Sequence, residues 1–171
     1  IPFPPVYPIT DTLLSGLLVS EQVRLMTAGG AAVVQIREKK ASSRAFYQAA
    51  VEAVSVARAG GARIIINDRV DIAVLVGADG VHLGQSDLSP IHARRLLGER
   101  AIIGYSTHTP GQAAEAAGMP VDYIAFGPVF PTATKEDPDP AVGLEMLAEV
   151  KSIVGELPLV AIGGITENNL G

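Results

Sequence analysis

The sequence has no cysteine, which excludes a disulfide framework and thiol chemistry, although it does not by itself assign a compartment. It has no run of lysine and arginine, and its formal net charge is −5. That excludes the basic face that counterion release on nucleic acid requires, so any anionic ligand has to be met by a local group of cations. No apolar stretch approaches the roughly 20 residues needed to span a bilayer. The opening residues, Ile1-Pro2-Phe3-Pro4-Pro5, lack a basic region followed by an apolar one, so they do not read as a signal peptide. Cytoplasmic is the default location, with no membrane and no nucleic acid among the expected partners. Linkers and low-complexity segments are missing too, and 171 residues with 48% hydrophobic content fit one domain with a real core.

What is present is a regular alternation of short apolar runs and amphipathic stretches that end in glycine. Strands are expected at Val6 to Asp11, Ala32 to Arg37 and Arg63 to Asn67, in the apolar run that opens at Gly80, and at Ala101 to Tyr105, Asp122 to Gly127 and Leu159 to Ile162. Helices are expected from Ser20 to Gly29, Ser43 to Ala59, Val70 to Val76, Pro90 to Gly98, Gly111 to Ala117 and Gly143 to Val154, with one more starting at Thr166. In the long helix Phe46, Ala49, Ala53 and Val56 fall at helical spacing and form the buried face. Seven consecutive βα units with right-handed crossovers make a parallel sheet, whose closed form is the (β/α)8 TIM barrel. An eighth strand is missing from the sequence, so residues 1–171 are expected to form a single TIM-barrel domain that is incomplete at the C-terminus.

Two carboxylates organise this pattern. Asp68 ends Arg63-Ile64-Ile65-Ile66-Asn67-Asp68, and Asp87 ends Gly80-Val81-His82-Leu83-Gly84-Gln85-Ser86-Asp87. Both fall just beyond the carboxyl ends of strands, the edge where α/β folds carry ligands. Together they could hold one hard cation such as Mg²⁺, which takes a few carboxylates plus phosphate oxygens. The competing role of Asp68 is to cap the helix that follows, with Asp71 completing a capping box.

Alternation in Gln35-Ile36-Arg37-Glu38-Lys39 puts Gln35, Arg37 and Lys39 on one face of the strand end. They point into a barrel mouth, or they form a polar top layer of barrel filling or ion pairs with Asp68. Asn67 either donates to phosphate or closes a turn. Gly127-Pro128-Val129-Phe130-Pro131-Thr132-Ala133-Thr134-Lys135 is the most distinctive loop. Its two hydroxyls and one ammonium can donate to phosphate, the alternative being a threonine-rich surface turn. Glu136 to Pro140 extends it as a lid or an exposed acidic stretch. Gly163-Gly164 sits where such barrels bind phosphate with backbone N–H groups and a helix dipole. Ser106 contacts a heterocycle or caps a turn. His82 is a candidate substrate contact or a histidine with a satisfied core hydrogen bond, and His108 and His92 have weaker claims.

These motifs, in register from the first strand to the end of the chain, resemble the thiamine-phosphate synthase family, with Ser106-Thr107-His108 and Ala161-Ile162-Gly163-Gly164-Ile165 completing the set. The resemblance implies a TIM barrel and a transferase that joins hydroxymethylpyrimidine pyrophosphate to hydroxyethylthiazole phosphate. By position, it implies that Asp68 and Asp87 hold Mg²⁺ and that Arg37, Lys39, Asn67 and Lys135 hold the pyrophosphate. Gln35 and Ser106 would contact the pyrimidine, while Thr132, Thr134 and the Gly164 N–H would hold the thiazole phosphate. Arg37, Lys39, Ser106 and Lys135 are the residues expected to act in catalysis.

Two other readings compete. A thiazole tautomerase of the same superfamily would shuttle protons with a group such as His108, but has no use for the carboxylate pair or for Lys39 and Lys135. A phosphometabolite-binding barrel without activity is the non-enzymatic reading. The sequence leaves the oligomeric state open, a homo-oligomer included.

Overall fold

Glycine stops and isoleucine-rich runs set the order of elements. The computed structural model describes residues 3–132, 134 and 139–169. Helix α1 (Thr12–Ser15) is followed by α2 (Val19–Ala28), β1 (Val33–Ile36), α3 (Ser43–Ala59), β2 (Arg63–Asn67), α4 (Val70–Val76) and β3 (Gly80–Leu83). Then come α5 (Pro90–Leu97), β4 (Ile102–Thr107), α6 (Pro110–Ala117), β5 (Tyr123–Phe126), α7 (Gly143–Val154), β6 (Leu159–Ala161) and a 3₁₀ turn at Glu167–Asn169. The architecture is α/β with parallel strands. Among the described residues no helix is long and apolar enough to cross a membrane. The chain divides into two compact units, Ile1–His82 with His92–Ile102, and Leu83–Ile91 with Ile103–Gly171.

In the first unit β2 lies parallel between β1 and β3, with Gln35 opposite Ile65 and Asn67 opposite His82. Val34, Ile36, Ile64, Ile65 and Ile66 are all buried, because helices cover one face of these strands and side chains fill the other. Helix α3 starts where Ser42 accepts a hydrogen bond from the Ala45 N–H, and it buries Phe46, Ala50, Ala53, Val54 and Ala57. That face is turned slightly from the one expected. Ala50, Ala53 and Ala57 are fully buried, while Ala49 borders a cleft of about 360 Å³ beside Glu38 and Leu17. Helix α4 ends at Gly77, which takes the left-handed conformation at φ 62°.

In the second unit β5 lies parallel between β4 and β6, with Gly104 opposite Tyr123 and Phe126 opposite Ala161. Tyr123 and Phe126 are fully buried. A Cβ on Gly104 would come within 2.0 Å of the Tyr123 ring, so the glycine is what admits the tyrosine. Helices α6 and α7 contribute Ala113, Ala116, Val150 and Val154 to this core.

Two aspartates fix the amino ends of strands. Asp79 accepts from the Ile64 N–H at 2.8 Å and donates its own N–H back to the Ile64 carbonyl at 2.9 Å. Asp122 does the same with Ile103, at 2.7 Å in both directions. Asp79 thus satisfies backbone at the end of β2 opposite the one followed by Asp68, and Asp122 does so at the amino end of β4.

The seven strands read from the sequence reduce to six among the described residues. The expected first strand, Val6 to Asp11, is a single parallel bridge between Ile9 and Gln35. The Gln35 N–H donates to the Pro8 carbonyl and the Thr10 N–H to the Gln35 carbonyl, each at 2.9 Å. Pro5 and Pro8 have no N–H to give, so the ladder cannot extend toward the N-terminus. The helix expected from Ser20 begins one residue earlier, with Leu18 at the N-cap and no side-chain cap. A short helix unforeseen in the sequence, α1, precedes it: the Asp11 carboxylate accepts from the Leu13 and Leu14 N–H groups. The (β/α)8 closure expected from the pattern is not established by these six strands.

Candidate functional site

At the carboxyl end of β1 the alternation holds. Glu38 goes one way, accepting from the Thr12 hydroxyl at 2.8 Å. Gln35 is buried, with its amide donating to the Tyr7 hydroxyl at 3.2 Å. The Arg37 N–H donates to Thr10 Oγ1 at 3.1 Å, and its guanidinium lies 3.6 Å from Asp11 Oδ2. Lys39 forms an ion pair with Asp68. Asp11 thus serves two tasks, capping α1 with one oxygen and facing Arg37 with the other.

At the end of β2, Asp68 has φ 63° and is the non-glycine residue with positive φ among those described. Its neighbours explain why it stays there. The Arg69 N–H donates across it to the Asn67 carbonyl at 2.8 Å, closing a γ-turn, and the Asp68 N–H donates to the His82 carbonyl at 2.8 Å. A positive-φ γ-turn is rare and strained, costing about 1–3 kcal/mol, and such turns gather at functional sites. The capping role weighed for Asp68 is not the one it plays. Helix α4 has Arg69 at its N-cap without a side-chain cap, and Asp71 is held by the Arg69 guanidinium through two bonds of 2.9 and 2.6 Å. The Arg69 hydrogen bond holds the Asp71 carboxyl below the usual range. The Asn67 amide, 8% exposed, makes no side-chain hydrogen bond among the described residues.

His82 is buried at the end of β3. Desolvation pulls its pKa from 6.5 down to about 4, against the opposing charge of Asp68. The ring is therefore neutral at physiological pH.

The second unit carries the other candidates. Asp87 closes a turn after β3: its Oδ2 accepts from the Gly84 N–H at 2.7 Å, and its own N–H donates to the Gly84 carbonyl at 3.2 Å. Gln85 donates to the Ser106 carbonyl at 2.6 Å. Ser106 lies within β4 rather than after it, because the strand runs on to Thr107. Burial, then the charges of Asp87 and Glu115, raise the pKa of the neighbouring Tyr105.

The distinctive loop after β5 is held by backbone. The Val129 N–H donates to the Ile162 carbonyl at 2.8 Å and the Phe130 N–H to the Gly163 carbonyl at 3.0 Å. Where the chain returns, the Val142 and Gly143 N–H groups donate to the Pro128 and Val129 carbonyls at 2.8 and 3.0 Å. Thr132 Oγ1 accepts from the Thr134 N–H and donates to the Thr134 hydroxyl, each at 3.3 Å. Lys135 and residues 136–138 of the acidic stretch lie outside the described residues.

Gly163 and Gly164 have φ of 97° and 64°. A Cβ on Gly164 would lie 2.5 Å from the Pro131 carbonyl oxygen, so only glycine fits beside the loop. The Gly164 carbonyl accepts from the Asn169 amide at 3.0 Å, and its N–H has no protein partner among the described residues. Where a helix is expected from Thr166, the described residues end in a 3₁₀ turn, Glu167–Asn169.

Residue reasoning missed Tyr7, Asp11 and the part played by His108, whose Nδ1 lies 2.7 Å from the Gly127 carbonyl oxygen. Asp11 had a readable signal, an N-cap residue type just ahead of Thr12-Leu13-Leu14. Tyr7 and His108 had none, since their partners are 28 and 19 residues away.

Each unit is α/β, with parallel strands and polar groups beyond their carboxyl ends. The sequence matches the family described as thiamine monophosphate synthase over residues 6–171. It is 48% identical to the thiamine-phosphate synthase of Syntrophomonas wolfei over 166 residues, 96% of this chain and 79% of the relative. It is 50% identical to that of Persephonella marina, again over 96% of this chain and 78% of the relative. The solved structure of a thiamine phosphate pyrophosphorylase from Pyrococcus furiosus superposes with a TM-score of 0.83 at 37% identity, covering 95% of this chain and 76% of that one. The chain belongs to the thiamine monophosphate synthase family.

Proposed function

We propose that the polar groups at the strand ends carry out thiamine phosphate formation, the transferase activity of this family, with the strands forming part of a (β/α)8 barrel. The substrates are hydroxymethylpyrimidine pyrophosphate and hydroxyethylthiazole phosphate. In the step proposed, the bond between the pyrimidine methylene carbon and the pyrophosphate oxygen breaks, and its electron pair leaves on pyrophosphate. The lone pair of the thiazole nitrogen then forms the new C–N bond to that carbon. No proton is removed, so no activating base is needed, and a neutral His82 is consistent with that.

Arg37, Lys39, Asn67 and Lys135 hold the pyrophosphate and neutralise charge as it develops on the leaving group. Asn67 offers an amide that no other described residue occupies. Gln35, fixed by Tyr7, and Ser106 orient the pyrimidine, with His82 beside them as a further contact. Thr132, Thr134 and the Gly164 N–H receive the thiazole phosphate. Asp68 and Asp87 fit Mg²⁺, since carboxylate oxygens are hard donors and Asp68 is kept presented by a turn that the backbone alone would not choose. Mg²⁺ bound there would supply positive charge to the pyrophosphate oxygens.

The observation that carries this reading is Asp68, strained, paired with Lys39 and relieved of any capping role. The experiment is turnover of the two substrates with Mg²⁺ and with excess chelator, following thiamine phosphate by its fluorescent oxidation product. Product that requires Mg²⁺ is expected. Equal product with chelator would remove the metal role, and no product from folded protein would remove the transferase.

A further inference from the structure

His108 takes no part in the reaction described above, yet it touches both ends of the loop that carries Thr132, Thr134 and Lys135. Its own backbone is fixed first. The His108 N–H donates to Gln112 Oε1 at 2.7 Å, and Thr109 next to it caps α6 by accepting from the Gln112 N–H at 3.2 Å. The ring then reaches across to β5. A carbonyl can only accept, so the Nδ1 that lies 2.7 Å from the Gly127 oxygen carries the proton. The same nitrogen is 3.6 Å from Asp139 Oδ2. Residues 107 and 108 grip β5 at successive points: the buried Thr107 hydroxyl donates to the Ala125 carbonyl at 3.1 Å, and the Gly127 N–H donates to the Thr107 carbonyl at 3.4 Å.

From the other side, Gly127 is pressed against β6, since a Cβ on it would lie 2.1 Å from the Ile162 carbonyl oxygen. The first peptide of the loop is therefore held between two neighbours, and the imidazole is the side chain that satisfies its buried carbonyl. Residue 139 is where the loop returns toward α7, so one ring meets the entry and the exit of the segment.

We propose that His108 is a positioning residue that, through Gly127 and Asp139, sets Thr132 and Thr134 for the thiazole phosphate. This rests on the assignment of Thr132 and Thr134 to that phosphate. Without the ring, the Gly127 carbonyl is buried and unpaired, and the loop relaxes away from the geometry in which both hydroxyls converge. Binding of the thiazole phosphate suffers more than binding of the pyrimidine pyrophosphate, which Arg37, Lys39 and Asn67 hold without this loop. A donor of similar reach restores it, because the N–H to the carbonyl is what counts.

The test compares His108→Ala, His108→Asn and Asp139→Asn with the unaltered chain, with folding checked by far-ultraviolet circular dichroism. KM is measured for each substrate, and hydroxyethylthiazole phosphate binding is measured alone by calorimetry. Loss of a donor to a buried carbonyl predicts that His108→Ala raises KM and Kd for the thiazole phosphate about tenfold or more, with less than about threefold change in KM for the pyrimidine pyrophosphate. His108→Asn is expected to recover most of that loss, and Asp139→Asn to shift thiazole phosphate binding in the same direction as His108→Ala but less. Unchanged thiazole phosphate binding in a folded His108→Ala, an equal rise for both substrates, or no recovery in a folded His108→Asn overturns the proposal. If His108→Ala does not fold, His108→Asn and Asp139→Asn decide it, and thiazole phosphate binding unchanged in Asp139→Asn and tenfold weaker in His108→Asn counts against it. Absence of turnover in the unaltered chain would reject the transferase, while the calorimetry would still read the effect of His108.

Discussion

Two loops of this chain display their polar groups in opposite ways. The γ-turn that closes β2, Asn67 to Arg69, displays one carboxylate, Asp68, kept at φ 63° by hydrogen bonds to either side. The loop after β5 spreads its task over two threonines and a lysine, and it is secured by backbone bonds to residues 162 and 163 and to residues 142 and 143. In the first, local strain is exchanged for presentation of a single group. In the second, contacts with neighbouring chain replace strain, the His108 ring on the Gly127 carbonyl among them. Damage to the first should therefore appear in chemistry more than in stability, and damage to the anchors of the second in both.

The largest effect expected is on turnover in Asp87→Ala or Asp68→Ala. Loss of a carboxylate that gathers charge at the leaving group should remove nearly all Mg²⁺-dependent rate, at least about 3–4 kcal/mol of barrier, while circular dichroism remains that of the folded chain. Unchanged turnover in either variant would take that residue out of the metal site.

Next, Lys135→Ala should cost about 2–4 kcal/mol of barrier, by analogy with removing one preorganised donor. A loss of less than about tenfold in steady-state rate, about 1.4 kcal/mol, would count against its contact with the pyrophosphate.

Acid stability comes third and belongs to the first loop, through His82, whose carbonyl holds Asp68. The folded ring titrates at about 4 against 6.5 when unfolded. As pH falls the unfolded chain takes the proton first, so this contribution is fully present above pH 6.5 and is lost between 6.5 and 4, by up to about 3 kcal/mol. Urea unfolding at pH 7 and pH 4.5 should show the loss, and His82→Gln should flatten it. A slope unaltered by that substitution would assign the acid sensitivity elsewhere.

The smallest effect is expected in Gly127→Ala. The added methyl meets the Ile162 carbonyl oxygen, and overpacking of this kind costs about 1–3 kcal/mol. Both melting temperature and affinity for the thiazole phosphate should fall together. A fall in stability with unaltered affinity would show that the anchors of the loop do not set its hydroxyls.

Strand and helix positions were readable where local chemistry decides them. Gly60 bounds α3 and Gly77 bounds α4, and both helices lie at the residues expected from apolar spacing and glycine stops. The Ile64-Ile65-Ile66 run could be read as a strand buried on both faces because no polar residue interrupts it. The N-terminal segment misled because periodicity does not register that Pro5 and Pro8 cannot donate to a ladder. The carboxylates beyond the strand ends were visible as composition at a position. The strain at Asp68 was not, because it depends on a bond to His82, brought beside it only when β2 and β3 pair. The hold of His108 on Gly127 was hidden for the same reason.

The most direct test of the claim that Asp68 is strained for function is Asp68→Gly, measured for melting temperature and for initial rate of thiamine phosphate formation with saturating Mg²⁺. Glycine adopts this backbone conformation without penalty. The result predicted is a melting temperature equal to or above that of the unaltered chain, together with a rate at least about a hundredfold lower, some 2.7 kcal/mol of barrier. A variant that keeps its rate within tenfold, or that loses stability as well as activity, would contradict the account.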